Sequence, residues 1–249
     1  MATQSATNAK KVLITGGTGS VGKSLIETFS KAGHNVAFQY RSDENIAKKL
    51  EQNFNANPIK LDFTNSCDLP EVEFDIVINN AGINISDAQT HEVSIEDWEL
   101  TLQINLTTPF KITKQCLPWM LKQGWGRIIN ISSIYGLRVS EDNFPYTVSK
   151  HGLSGLTKTI AREYAKLGIT CNEICPGPID SEMMNRIAAK SAAEEGISTD
   201  EYFEGLRQEI PANRMAKPKE IAALALFLTS NDADYINGVS IPVDGAMIT

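Results

Sequence analysis

Most of what this 249-residue chain lacks narrows its possible roles. No apolar run approaches the roughly 18 residues that a membrane-spanning helix requires. Its four cysteines, Cys67, Cys116, Cys171 and Cys175, follow no metal-ligand spacing, so no metal site is expected. They read instead as buried free thiols in a reducing compartment. Positive charge is short: 23 Lys and Arg stand against 30 Asp and Glu, giving a net charge of −7. The basic residues are scattered, which argues against nucleic acid or an anionic membrane as the main partner. The leader Met1–Lys10 is small and polar and has no apolar core of the secretory-signal type. It reads as a flexible tail (1–10) ahead of one domain (11–249), with the cytoplasm as the expected location. There is no low-complexity stretch and no linker.

What the chain does have is a regular alternation of apolar runs and amphipathic stretches. Lys11–Thr15 is a strand signal that runs into Gly16, Gly17, Thr18, Gly19, Ser20, Val21 and Gly22 and then into a helical pattern. A glycine turn between strand and helix lets backbone N–H groups approach a pyrophosphate, and the helix dipole favours the negative charge. The second strand, Asn35–Tyr40, ends at Tyr40, Arg41 and Ser42. An NAD-selective fold usually places a carboxylate there for the ribose hydroxyl. A guanidinium beside a hydroxyl suits a 2′-phosphate, so NADP(H) is favoured over NAD(H), although Asp43 and Glu44 follow closely. Strand signals recur at Pro58–Leu61, Phe74–Ile78, Gly126–Ser133, Gly168–Ile174 and Val239–Val243. Only about a dozen residues separate the third of these seven strands from the fourth, so any helix before Phe74 must be short. Ser94-Ile95-Glu96-Asp97 reads as a capping box. In the helix it opens, Pro109 cannot donate to the Asn105 carbonyl, which predicts a kink there. Together these signals predict an α/β fold: a single-domain, Rossmann-type, doubly wound parallel sheet with helices on both faces. Ligands would bind at the strands' carboxyl ends.

At one such end, Tyr146 and Lys150 lie one helical turn apart, with Ser133 upstream. Pro145 suits the start of that helix. Bringing a phenol with pKa about 10 near neutrality takes about 4 kcal/mol. An ammonium about 4.5 Å away supplies a similar amount at an effective dielectric near 20. On that arithmetic Tyr146 can serve as acid or base.

The motifs Thr15-Gly16 with Gly22, Asp62, Asn79-Asn80-Ala81-Gly82, Asn105, Ser133, Tyr146 with Lys150, and Pro176-Gly177 resemble the short-chain dehydrogenase/reductase family from Lys11 to Gly245. That resemblance implies a nicotinamide cofactor and a homotetramer. It implies Tyr146 as the proton donor or acceptor, Lys150 lowering the phenol's pKa, Ser133 polarising the carbonyl, and Asn105 anchoring a relay water. It also implies Asp62 and Phe63 at the adenine, Asn80, Ala81 and Gly82 at the ribose, and Pro176, Gly177, Ile179 and Ser181 on the nicotinamide side. The phosphate loop departs from members of this length, having Ser20 where they carry glycine. The chain is similar to 3-oxoacyl carrier-protein reductases, which implies a carbonyl–alcohol interconversion on a small-molecule or acyl-thioester substrate. Residues 179–211 look like the lid of 3-hydroxybutyrate dehydrogenases, an alternative that would use NAD. Against that alternative, Tyr135 and Ile187 stand where those enzymes carry histidine and glutamine. Ser133, Tyr135, Arg138, Met183 and Met184 are the substrate candidates; Arg138 fits either an anion clamp or an ordinary surface arginine. A third reading is a non-catalytic NADP(H) sensor on the same fold.

Overall fold

The computed structural model describes residues 9–139 and 141–249. Of the leader, only Ala9 and Lys10 fall among them, so the tail expectation lies largely outside the described residues. Seven parallel strands form one sheet in the order β3-β2-β1-β4-β5-β6-β7. They are β1 (Lys11–Ile14), β2 (Asn35–Tyr40), β3 (Asn57–Lys60), β4 (Ile76–Asn79), β5 (Gly126–Ile131), β6 (Ile169–Pro176) and β7 (Ser240–Val243). The order reverses between β1 and β4, which opens a crevice above their carboxyl ends. In register, Ile14 faces Phe38 on one side and Ile78 on the other.

Alternate residues of each strand feed opposite cores, so the central strands read as continuous apolar runs. Val12, Ile14, Phe38, Ile78, Ile129 and Ile174 meet α1 (Ser20–Lys31), α2 (Glu44–Phe54) and α8 (Pro218–Leu228). Leu13, Val77, Ile128 and Cys171 meet α4 (Thr108–Gln123) and α5 (Phe144–Tyr164). Each fully buried side chain of this size contributes about 1.5–3 kcal/mol. All four cysteines are buried and unpaired. No helix among the described residues is long and apolar enough to cross a membrane.

Two local expectations are corrected. No helix, short or otherwise, joins β3 to β4. Gln115 of α4 pins that loop instead, donating to the Cys67 carbonyl at 2.8 Å and accepting from Leu69 N–H at 3.1 Å. At α3 (Ile95–Leu102) the first half of the capping box forms, with Ser94 Oγ accepting from Asp97 N–H at 3.0 Å. Asp97, one methylene shorter than glutamate, makes no return bond among the described hydrogen bonds. The break near Pro109 is a π turn, Gln103–Thr107, between α3 and α4. Thr108 donates both N–H and Oγ1–H to the Gln103 carbonyl, so the chain gains a residue where proline forbids the ordinary bond.

Candidate active site

The phosphate loop is built from both sides. Thr15 Oγ1 accepts from Asn80 N–H at 2.9 Å and Ala81 N–H at 3.0 Å, while the Asn80 amide donates to the Thr15 carbonyl at 2.9 Å. Gln39, almost wholly buried, accepts from Gly16 N–H at 2.9 Å through its side chain and from Gly17 N–H at 2.8 Å through its carbonyl. The glycines divide by what surrounds them. A Cβ on Gly22 would lie 2.2 Å from the Gly16 carbonyl oxygen, and one on Gly17 would lie 2.5 Å from the Phe38 ring. A Cβ on Gly19 would meet only the Gly16 oxygen, at 3.4 Å. Packing therefore requires Gly17 and Gly22, whereas Gly19 leaves room for a group from outside. Gly19 is also the N-cap of α1, which has no side-chain cap and no acidic residue in its first turn. Its leading N–H groups fit an anion such as a pyrophosphate.

At the end of β2 the nearby acidic side chains are engaged. Asp43 caps α2 through Ile46 N–H at 2.9 Å, and Glu44 pairs with Lys60 at 2.5 Å. Asp62 Oδ1 accepts from Thr64 N–H at 3.0 Å and Thr64 Oγ1 at 2.9 Å. These bonds, helped by Arg41 nearby, hold its carboxyl below the ordinary range. Phe63 is buried beside it. Arg41 itself makes no ion pair among those found in the described residues.

Asn143, in the left-handed conformation at φ 66°, starts α5 and accepts from the Asn84 amide at 2.6 Å. The first turns of α5 then present Tyr146 and Lys150 beneath the end of β5. Lys150 Nζ donates to the Ile131 carbonyl at 3.0 Å and lies 5.4 Å from the Tyr146 ring centroid. A Cβ on Gly82 would stand 3.6 Å from that Nζ and 3.5 Å from Asn105 Oδ1, which places all three groups at one spot. Ser133, also buried, accepts from Tyr135 N–H at 3.2 Å and interacts with the Tyr146 hydroxyl. Tyr135 meets the Tyr146 ring edge-on at 6.4 Å, and the Arg138 guanidinium lies over Tyr135 at 5.5 Å. Arg138 Nε is enclosed and has no hydrogen-bond partner among the described residues.

Burial governs the ionisation of the pair. It pushes the Tyr146 phenol up to about 12, against a downward pull from Ser133, and brings the Lys150 ammonium down to about 8. Burial is the largest influence on the phenol, with Ser133 as the side chain that pulls it down. The four-residue spacing gives adjacency, but Nζ is turned to Ile131 and is itself desolvated. Tyr146 as a whole is only partly buried, so water moderates the shift.

Asn105 also has a structural part, carried by its side chain. Its side chain is fully buried and committed: Oδ1 accepts from Ile83 N–H at 2.9 Å, and Nδ2 donates to the Ile83 carbonyl at 2.8 Å and to Ser149 Oγ at 3.0 Å. It fastens the strand after β4 to α5. Ser149, which sequence reasoning passed over, completes that link by donating to the Tyr146 carbonyl at 2.6 Å. Gln39 was missed in the same way. Its signal is a polar residue inside an apolar strand.

Past β6, Gly177 N–H donates to the Val243 carbonyl at 3.1 Å, and Ile179 bridges to Ala216. Ser181 caps α6 (Glu182–Glu195) by accepting from Met184 N–H at 3.2 Å. This helix and α7 (Thr199–Glu209) lie within 179–211, and α6 is tied to the rest of the domain at two points. At one, Glu182 donates its N–H to Ser20 Oγ at 3.2 Å and pairs with Lys23 at 2.7 Å. At the other, Lys190 pairs with Asp87 at 2.5 Å. Met183 is exposed and Met184 half-buried on that helix.

Comparison with known proteins agrees with this geometry. A family model described as enoyl-(acyl carrier protein) reductase matches residues 16–247. The acetoacetyl-CoA reductase of Rhizobium meliloti is 35% identical over 248 residues, covering 95% of this chain and 98% of the relative. The D-beta-hydroxybutyrate dehydrogenase of the same organism is 30% identical over 252 residues, covering 95% and 97%. Among solved structures, a tryptophan variant of actinorhodin polyketide ketoreductase with NADPH superposes with a TM-score of 0.89 at 30% identity, covering 99% of both chains. The chain belongs to the short-chain dehydrogenase/reductase family. It is an oxidoreductase acting between CH–OH and carbonyl groups with NAD(P).

Proposed function

We propose that the protein is an NADP(H)-dependent carbonyl reductase whose substrate is a 3-oxoacyl thioester or a small keto acid. The observation that carries this reading is the convergence of Ser133, Tyr146 and Lys150 beneath the crevice that the Gly16–Gly22 loop borders. The loop N–H groups of Gly19, Ser20 and Val21 hold the pyrophosphate, and Arg41 with Tyr40 and Ser42 takes the 2′-phosphate. Asp62 and Phe63 flank the adenine, Asn80, Ala81 and Gly82 the ribose, and Pro176, Gly177, Ile179 and Ser181 the nicotinamide. The bound cofactor supplies the hydride.

The protein's part is proton transfer and charge placement. A phenol pushed up to about 12 is protonated at neutral pH, so Tyr146 is set to donate Oη–H to the carbonyl oxygen as the alcohol forms. The Ser133 hydroxyl donates to that oxygen as negative charge develops on it. Lys150, cationic below about pH 8, stabilises the phenolate left behind. Residues 179–211 act as a lid over the substrate, with Met183 and Met184 on its inner turn and Tyr135 and Arg138 at the far wall. The acetoacetyl-CoA reductase relative supports the thioester substrate. The hydroxybutyrate dehydrogenase relative supports a second reading, NAD-dependent oxidation of a 3-hydroxy acid; a protonated Tyr146 favours the reductive direction. A sensor without turnover would have no use for the adjacent Tyr146–Lys150 pair. The working form is a cytoplasmic homotetramer, supported by Phe227, Tyr235 and Val239 standing exposed near edge strand β7.

NADPH oxidation against acetoacetyl-CoA, with Tyr146→Phe as control, tests the reading. The variant should lose about 10²–10⁴ in kcat and keep its NADPH affinity. Equal turnover by the two proteins would refute the assignment, and tight NADPH binding without turnover on any ketone would favour the sensor.

A further inference from the structure

Behind the catalytic pair lies a carboxyl that the reaction as described does not use. Glu173 stands in the middle of β6, is fully enclosed, and points to the α5 face of the sheet. Its Oε1 accepts from Ser154 Oγ at 2.7 Å and from Cys175 Sγ at 3.0 Å. Its Oε2 has no hydrogen-bond partner among the described residues. Ser154 lies one turn after Lys150 on α5, and its hydroxyl also approaches the Lys150 carbonyl at 3.2 Å. One serine therefore ties the carboxyl to the helical turn that presents Lys150.

The neighbours of this carboxyl are almost all neutral. In register on β5 and β7 it faces Asn130 and Ser240. The Asn130 amide is engaged with Asn79 and Thr157. On its own strand stand Cys171 and Cys175, two thiols that burial pushes well above their usual range. From α5 come Ser154 and Lys150. Of these groups only Lys150 carries a positive charge. The coupling is visible from the lysine as well: burial lowers its pKa, and Glu173 opposes that fall. A buried carboxyl with one oxygen unbonded is unfavourable unless a cation faces it.

We propose that Glu173 is a positioning residue for the reaction, a counter-charge anchored through Ser154 that keeps Lys150 cationic beside Tyr146 in an interior that would otherwise strip its proton. The proposal rests on reading Tyr146 and Lys150 as the catalytic pair. Its test therefore includes a readout independent of turnover. In protein carrying ¹³C-labelled lysine, the Lys150 resonance is identified by its absence in Lys150→Met and titrated in wild type and in Glu173→Gln. The midpoint should fall by about one pH unit in the Gln variant, the usual size for losing a close opposite charge. The alkaline limb of kcat for acetoacetyl-CoA reduction should move down with it. Glu173→Ala carries the same comparison if the Gln protein does not fold. An unchanged Lys150 midpoint, or a moved midpoint with an unmoved kcat limb, overturns the proposal. Normal turnover by Tyr146→Phe would count against the catalytic reading alone, because the lysine titration does not depend on it.

Discussion

Gly19 and Gly22 are three positions apart and chemically identical, yet the structure asks different things of them. A methyl group on Gly22 collides with the Gly16 carbonyl at 2.2 Å, so the loop or the helix must move. Gly22→Ala should cost about 1–3 kcal/mol of stability, in the range of overpacking, and should weaken NADPH binding as a consequence. Gly19→Ala meets only an ordinary contact at 3.4 Å and should unfold within about 0.5 kcal/mol of wild type. It should still bind NADPH at least tenfold more weakly, because the methyl occupies the approach to the N–H groups. Urea midpoints and NADPH titrations on both variants check this, and a destabilised Gly19→Ala would refute the division. Arg41 is a second single-residue case. With Asp43 and Glu44 engaged elsewhere, its guanidinium is the charge left to choose between cofactors. Arg41→Ala should lose at least tenfold in kcat/KM with NADPH and little with NADH, since a charge-assisted hydrogen bond is worth about 1.5–3 kcal/mol. An unchanged ratio of the two would sink the 2′-phosphate assignment.

At the scale of elements, α6 buries only Ala188 and Ala192 of its own residues and is otherwise tied down at the surface. Its two ion pairs, Lys23–Glu182 and Lys190–Asp87, have largely exposed partners. Such pairs contribute about 0–1 kcal/mol each and weaken with salt. Their loss should therefore loosen the lid without unfolding the domain. In Glu182→Ala with Asp87→Ala, KM for the substrate should rise severalfold and become insensitive to salt, while the melting temperature shifts by no more than a few degrees. Stopped-flow substrate binding from 50 to 500 mM NaCl reads this out. A double variant with wild-type salt dependence would show that the pairs do not hold the lid. The fixed elements contrast with it: α5 is anchored through Ile131, Ser149 and Asn143 and has little freedom to move.

For the whole molecule, edge strand β7 pairs only with β6. Phe227 and Tyr235 stand exposed near that edge, Tyr235 completely so. Light scattering should give about four times the 27.3 kDa chain mass. Phe227→Asp with Tyr235→Asp should give a smaller species, and a monomeric wild type would refute the assembly. The sheet itself was legible in the sequence because strands buried on both faces leave short apolar runs, as Val12–Ile14 and Ile76–Ile78 do. Strand ends then placed the glycine loop, Ser133 and Tyr146 together. Three things were less legible. The β3–β4 loop has no periodicity to read. Gln39 and Ser149 act through hydrogen bonds that exist only once distant strands meet. The ionisation of Tyr146 depends on how deeply it is enclosed, and the spacing to Lys150 carries no information on depth.

The π turn at Gln103–Thr107 bears on how this helix tolerates change in length. Each residue added to an α-helix advances its face by about 100°. The surplus residue there lets Asn105 swing toward α5 while Ile112, Cys116 and Met120 keep their side toward the sheet. Removing one residue from the turn would restore regular winding and turn the rest of α4 out of phase with its core. The segment is thus a fixed offset between two helical stretches, and its length is constrained more tightly than the identity of any side chain in it except Asn105.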